Sequence, residues 1–506
     1  MALLEVQNLT VSIQNKQIDF SPVNGINITI NAGEIVGLAG ESGCGKTLTA
    51  LSISGLLPAA PKVTDGAVLY HTTSGEVVDL RLLDEEAMRR IRGKEIAMIF
   101  QEPRQSLNPL MRVGAQIAET LQLHGADKKT AHEAALDTLR QLKFPEPEKI
   151  INAWPHQLSG GMCQRVMIAI AAICRPRLLI ADEPLTALDM ANQEHILSLL
   201  KQINREFGTA ILFISHDLPL ARHFCSRFLI MRSGTIIEEG ASETLFAAPA
   251  HSYTSGLIEA IPFGENHSQP PADVSRDGAR PLITIRNVSN TYVSRNFGLF
   301  GKKEIKPVLN HVNLEIAAGE IFGLSGESGC GKTTLARCIL GLIDYEGEIT
   351  IEGQGQSPGQ AQMIFQDPGA SLNPVKKIGW LMEEPLVIHH LGTAHERTRK
   401  VDEMLARVGL DPSYKTRRAS ELSGGQKQRV CIGRALMLDS KILIADEAIS
   451  SLDVSVGMQI LTLFRELRDS LGLTIIFISH NINTMRRFCD RIAVMKDGGV
   501  TPHYTA

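Results

Sequence analysis

The chain has no C-x-x-C pair among its eight cysteines, at positions 44, 163, 174, 225, 330, 338, 431 and 489. That excludes the paired spacing of a zinc site and the dense framework of a disulfide-stapled domain. It also has no uninterrupted apolar stretch of the about 18 residues that a membrane-spanning helix needs. Its first residues, Met1 to Gln7, lack the charged and apolar regions of a signal peptide. The expected location is therefore cytosolic, with any membrane attachment made through partners. An excess of either charge is missing too. With 51 Lys and Arg against 55 Asp and Glu, the formal charge of -4 provides no global basic field, which disfavours RNA or DNA as the main partner.

What the chain does have, it has twice. Gly40, Glu41, Ser42, Gly43, Cys44, Gly45, Lys46 and Thr47 fit the phosphate-binding loop G-x-x-x-x-G-K-[ST], and so do Gly326, Glu327, Ser328, Gly329, Cys330, Gly331, Lys332 and Thr333. Each loop follows an apolar, strand-like run and opens a helical one, so its backbone N–H groups and helix dipole can face phosphate oxygens. In such a loop the lysine reaches the terminal phosphates and the threonine hydroxyl holds Mg²⁺. Cys44 and Cys330 sit at these helix N-termini, where a thiolate is favoured, so alkylation is expected to inactivate and nucleotide to protect.

The remainder repeats in register. Equivalent positions lie 286 residues apart at Gly40 and Gly326, but 265 apart at Gln101 and Gln366 and 264 apart at Asp182 and Asp446. The second copy is thus about 21 residues shorter, and the loss falls between loop and glutamine. There the first copy carries what its pattern makes a surface β-turn-α excursion, including the charged run Asp84 to Arg90. Residues 264–281 are polar, contain Pro and Gly and show no apolar periodicity, as a flexible linker does. The expected organisation is 1–263, linker, 282–506. Within each copy, short β runs alternate with helical stretches, which predicts a mostly parallel α/β sheet. Helical periodicity dominates between Gln101 and Ser159 and again between Gln366 and Ser423, predicting an α-helical subdomain inserted in each core.

Four apolar residues lead into Asp182 and Glu183, and likewise into Asp446 and Glu447, placing two carboxylates at the end of a buried strand. The aspartate can hold Mg²⁺ and the glutamate can polarise an attacking water. Ser159, Gly160 and Gly161, and again Ser423, Gly424 and Gly425, open helices whose hydroxyl and N–H groups can approach a phosphate. One phosphate cannot readily use two such termini of one domain. A head-to-tail pairing of the halves follows as the expected geometry.

Taken together, these elements resemble a tandem pair of ATP-binding cassette (ABC) nucleotide-binding domains of the P-loop NTPase fold, over nearly the whole chain outside the linker. The resemblance implies Walker A at Gly40 to Thr47 and Gly326 to Thr333, Q-loops at Gln101 and Gln366, and signatures at Ser159 to Gly161 and Ser423 to Gly425. It implies Walker B at Asp182–Glu183 and Asp446–Glu447, D-loops at Ala187 to Asp189 and Ser451 to Asp453, and switch histidines at His216 and His480. Catalytic roles fall to Glu183, His216, Glu447 and His480. Mg²⁺ would be held by Thr47, Gln101 and Asp182 in one site and by Thr333, Gln366 and Asp446 in the other. Each ATP would lie between Walker A of one half and the signature of the other. Phe20 and Tyr292 are candidates for stacking on adenine.

The segments Phe100 to Pro109 and Phe365 to Pro374, with the tail Leu245 to Leu257, are similar to the dipeptide/oligopeptide/nickel import branch. Some relatives there bind an iron–sulfur cluster through tail cysteines. None lies between 226 and 329 here, so no cluster is expected. The implied role is the energising subunit of a bacterial importer, on the cytoplasmic face of the inner membrane. Its two permeases and extracytoplasmic binding protein would be separate chains, and its ligand could be peptide, nickel, a metal chelate or glutathione. A soluble tandem ABC ATPase, or an ATPase of a cytosolic complex such as carbon–phosphorus lyase, stays open at this point. The second copy departs from the branch's pattern at Ala448, where proline is usual, and at Asn481, where the first copy has Asp217, so equal rates at the two sites are not implied.

Overall fold

The computed structural model describes residues 2–15, 18–41, 43–73, 75–186, 188, 190–215, 218–259, 281–295, 303–327, 329–352, 359–450, 452, 454–479 and 481–505. The chain divides into two compact units, Met1–Ile261 and Pro262–Ala506. The expected linker, 264–281, lies outside the described residues except for Pro281, which opens a strand.

The first unit has a six-stranded sheet in the order Thr235–Ala241, Arg227–Arg232, Ile35–Ala39, Ala210–Ile214, Leu178–Asp182, Ile96–Ile99. The last five are parallel and the Thr235–Ala241 strand is antiparallel to its neighbour. Every residue of Ile35–Ala39, Leu178–Asp182 and Ala210–Ile214 is buried, as continuous apolar runs must be when both faces of a sheet are covered. A second, antiparallel sheet orders Ile18–Asn31, Ala2–Asn15, Pro61–His71 and Val77–Asp79. Between the two sheets lies the helix Lys46–Ile53, whose Ala50 and Ile53 join Val6, Ile28, Val68 and Tyr70 in one core.

The second unit repeats this frame: Ala361–Ile364, Ile442–Asp446, Thr474–Ile478, Ile321–Ser325, Arg491–Lys496 and Gly499–Thr505 in one sheet. Its antiparallel sheet has three strands, Lys303–Ala317, Pro281–Arg295 and Glu346–Ile351. The length difference read from the sequence has a structural counterpart. In the first unit the extra residues form the strand Val77–Asp79 and the helix Glu85–Ile91, which Asp84 caps by accepting from the Ala87 N–H. Among the described residues the second unit goes from Glu346–Ile351 to Ala361–Ile364 without an equivalent helix.

Helices Val113–Leu123, Lys128–Gln141 and Gly160–Ala172 form the inserted subdomain of the first unit; Ile378–Ile388, Ala394–Arg407 and Gly424–Leu436 form that of the second. Capping sets where these helices start: Asp127 accepts from the Lys129 and Thr130 N–H groups, and Thr393 and Glu396 form a capping box. Among the described residues no helix is long and apolar enough to cross a membrane.

Candidate nucleotide site

In each unit the phosphate loop leaves the C-terminal end of a central parallel strand and the acidic pair leaves a strand two places away in the same sheet. Loop and carboxylates therefore converge on one edge of the fold, where open α/β sheets bind ligands.

The loop's shape needs its glycines. Gly40 has φ 154° and a Cβ there would lie 2.1 Å from the Met231 carbonyl oxygen; Gly326, at φ 150°, would meet that of Met495 at 2.3 Å. Gly45 and Gly331, with φ 110° and 113°, turn the chain into the helices Lys46–Ile53 and Lys332–Ile339. Both loop lysines are buried. Lys46 Nζ donates to the carbonyls of Gly40 (2.8 Å) and Glu41 (2.9 Å), and Lys332 Nζ to those of Gly326 (2.7 Å) and Glu327 (2.8 Å). Ser42 and Ser328 lie outside the described residues.

Asp182 ends its strand only 1% exposed, and its Oδ1 has no partner among the described residues. Burial pushes its carboxyl up to about 6, against the opposing hydrogen bond with Thr47. Asp446 is likewise buried and shifted upward by desolvation, and its Oδ2 accepts from Thr333 Oγ1 at 2.8 Å. A carboxylate oxygen held in the interior without a partner, beside a threonine hydroxyl, is a hard oxygen donor of the kind Mg²⁺ takes. The residues present fit that ion.

The neighbouring glutamates adopt the left-handed backbone region, Glu183 at φ 46° and Glu447 at φ 49°, which is costly for a side chain of this type. Their N–H groups donate to the carbonyls of Ile214 and Ile478, both at 3.0 Å. Replacement of proline by Ala448 in the second copy therefore leaves the glutamate backbone as it is in the first. Gln101 Nε2 donates to Glu183 Oε2 at 3.0 Å and Gln366 Nε2 to Glu447 Oε2 at 2.7 Å. Thr186 Oγ1 adds a second donor to Glu183, at 3.0 Å. Motif reading places glutamine and glutamate in the same site but does not reveal this bond, which joins residues 82 apart in the first copy. His216 and His480 lie outside the described residues, as do Ala187, Asp189, Ser451 and Asp453.

The signature segments are N-terminal caps. Ser159 Oγ accepts from the Met162 N–H at 3.3 Å, and Ser423 pairs reciprocally with Gln426. A Cβ added at Gly160 would meet nothing within 4 Å, whereas one at Gly161 would lie 3.0 Å from Asn192 Oδ1 and one at Gly425 would lie 2.4 Å from Val456 Cγ1. Gly425 is thus fixed by packing, Gly161 faces only the tip of the exposed Asn192 side chain, and Gly160 presents bare backbone.

Of the adenine-stacking candidates, Phe20 is 55% and Tyr292 42% exposed, so neither serves as core packing. Tyr292 lines a cleft of about 780 Å³ together with Val308, Gly326, Gly329, Cys330 and Met495, beside the second phosphate loop. The expectation of a reactive thiolate at Cys44 is corrected. The side chain is buried, and desolvation pushes its thiol up despite the nearby Lys46 ammonium. The helix N-terminus seen in sequence favours the thiolate, but burial outweighs it.

One further residue reaches the first loop from outside the motifs: Tyr253 Oη accepts the Glu41 N–H at 3.2 Å. The residue belongs to the tail helix Ser252–Glu259.

A family model described as "ABC transporter" matches residues 23–186 and 309–450. The chain is 39% identical over 533 aligned positions to the glutathione import ATP-binding protein GsiA of Pectobacterium atrosepticum, covering 98% of this chain and 85% of the relative. It is likewise 39% identical over 534 positions to the GsiA of Escherichia coli K12, with the same coverage of both chains. A solved dimeric structure of the ATP-binding cassette MJ0796, bound to ADP and Pi, is 29% identical with a TM-score of 0.43, over 47% of this chain and 99% of that one.

Proposed function

Because this chain belongs to the ABC transporter family as an ATP-hydrolysing subunit of the peptide/nickel (Gsi-type) import branch, we propose that it drives uptake of a small peptide of the glutathione class. The relatives named for glutathione align with nearly its whole length. The chain would work at the cytoplasmic face of a bacterial inner membrane, bound to two permease subunits that receive ligand from an extracytoplasmic binding protein. The observation that carries ATP hydrolysis is the duplicate constellation: a loop lysine, a threonine beside a buried aspartate, and a glutamine bonded to a glutamate, in both units.

The chemistry assigned to each residue follows from its surroundings. Lys46 and Lys332 exchange their loop carbonyls for the terminal phosphate oxygens of ATP. Thr47 and Asp182, with Gln101, and Thr333 and Asp446, with Gln366, would hold Mg²⁺, which when bound supplies charge neutralisation on the phosphates. Glu183 and Glu447 orient and deprotonate the attacking water, and their glutamine partners hold the carboxylates in place until a γ-phosphate arrives. His216 and His480 are proposed to steady the γ-phosphate. Ser159 to Gly161 and Ser423 to Gly425 would cap the phosphates bound by the opposite half in a head-to-tail arrangement. ATP-dependent closure then moves the permeases because ATP binds the closed state more tightly than the open one.

The test is co-purification of the chain with membrane proteins in detergent, followed by ATPase assay of the parent and of the Glu183→Gln and Glu447→Gln variants. Permeases retained, with hydrolysis about 10²- to 10⁴-fold lower in the double variant, is expected. Near-normal turnover in the double variant would remove the glutamates as the base. Hydrolysis by a chain that retains no permease would remove the importer reading.

A further inference from the structure

The tail that follows the first ATPase core takes no part in the chemistry above, yet it touches the phosphate loop. The Glu41 N–H that donates to Tyr253 Oη belongs to the same peptide group as the Gly40 carbonyl, which accepts from Lys46 Nζ at 2.8 Å. The side chain of the tail and the loop lysine thus grip one trans peptide from its two sides.

Tyr253 is itself held. Glu238 accepts from the backbone N–H groups of Ala250 (2.7 Å) and His251 (3.1 Å), fixing the turn into the tail helix. His251 Nδ1 accepts the Tyr253 N–H at 3.0 Å, and the Arg232 guanidinium lies 4.7 Å from the centre of the tyrosine ring. Arg232 follows Met231, the residue whose carbonyl packs against Gly40. In the second unit Lys332 makes the same two carbonyl bonds, but among the described residues no side chain reaches the equivalent Glu327 N–H.

We propose that Tyr253 is a positioning residue for the first nucleotide site: it anchors the Gly40–Glu41 peptide so that the loop keeps its shape when Lys46 turns to the phosphates. The physical reason is entropy. Gly40, Gly43 and Gly45 all have positive φ, so the loop is built from the residues that lose most freedom on ordering, and an external anchor reduces what ATP must order. Among the described residues the second loop has no such anchor, which makes the two sites unequal in affinity through a residue that lies outside every nucleotide motif. The inference rests on Gly40 to Thr47 being the phosphate loop.

The test is Mg·ATP affinity of the full-length chain, measured with a fluorescent ATP analogue in two backgrounds. Lys332→Ala leaves the first loop to report and Lys46→Ala the second. Tyr253→Phe keeps the ring over Arg232 and removes only the hydroxyl, a single net hydrogen bond, so the expected effect is a roughly 2- to 10-fold rise in Kd in the first background and none in the second. In hydrolysis by the otherwise unaltered chain, KM for ATP rises while kcat holds. Glu238→Gln, which loosens the tail but keeps the tyrosine, should move Kd in the same direction. An unchanged Kd in the first background, or an equal change in both, overturns the anchor. No nucleotide binding by the parent would remove the phosphate-loop reading itself, and the anchor with it.

Discussion

At the scale of single residues, the site trades stability for chemistry. Asp182 is the clearest case: a carboxylate in the interior, its Oδ1 unpartnered among the described residues and its ionisation pushed up to about 6, is costly to keep charged at neutral pH. Asp182→Asn removes the charge at nearly constant volume. It is expected to raise stability by about 1 kcal/mol while reducing hydrolysis at the first site about 10²-fold or more, because the carboxylate proposed to hold Mg²⁺ is lost. Thermal denaturation paired with ATPase assay in the Glu447→Gln background checks this; a variant that loses both would make Asp182 a structural residue. What could be read in advance at this scale was residue type and order. Lys46, Asp182 and Glu183 are legible because their spacing from apolar runs is local information. The left-handed backbone of Glu183, the Gln101–Glu183 bond and the burial of Cys44 are set by distant packing that no local pattern encodes.

At the scale of elements, the signature helix separates the needs of folding from those of function. Gly160 opens the helix Gly160–Ala172 with a backbone that is not left-handed and with open space where a Cβ would stand. Alanine there should therefore fold better, by up to about 1 kcal/mol, since glycine carries an entropic penalty in a helix. Yet the bare N-terminus is where a phosphate is proposed to approach, so in the Glu183→Gln background, which leaves the site this turn would cap to report, Gly160→Ala should lower ATPase activity at least about 10-fold. A melting temperature that rises while ATPase falls is the expected pair of results. A variant of full activity would show that no phosphate comes close at this turn. Gly425 in the second copy offers the contrast: its Cβ would lie 2.4 Å from Cγ1 of the β-branched Val456, so alanine there should cost stability as well. The serine-glycine-glycine order was legible in sequence, but which glycine serves packing and which faces outward was not, because that depends on a neighbouring helix.

At the scale of the whole molecule, duplication was legible because it is written in residue order, whereas strand order was not, since parallel neighbours here are joined through helices and long crossovers. One shared tertiary feature ties each sheet at the start of its central strand. Arg227 Nε donates to Glu34 Oε1 at 2.7 Å, and Arg491 donates to both carboxylate oxygens of Glu320, at 2.9 and 2.7 Å. Burial works to raise the Glu34 carboxyl, but Arg227 and the Asn31 N–H together bring it below its ordinary value. With the folded value lowered, this group's contribution is present above the ordinary carboxylate range and is lost as pH falls through the folded value. Glu34→Gln should therefore destabilise the first unit by about 1–2 kcal/mol at pH 7, and the difference from the parent should vanish in acid, where the parent's glutamate is itself protonated. Hydrogen exchange resolves this by unit. Amides of Ile35–Ala39 and Arg227–Arg232 should exchange faster in the variant at pH 7, while those of Ile321–Ser325 and Arg491–Lys496, held by the Glu320 pair, stay as in the parent. Equal acceleration in both sheets would mean that the two units open as one, and the repeat seen in sequence would then not be a repeat in stability.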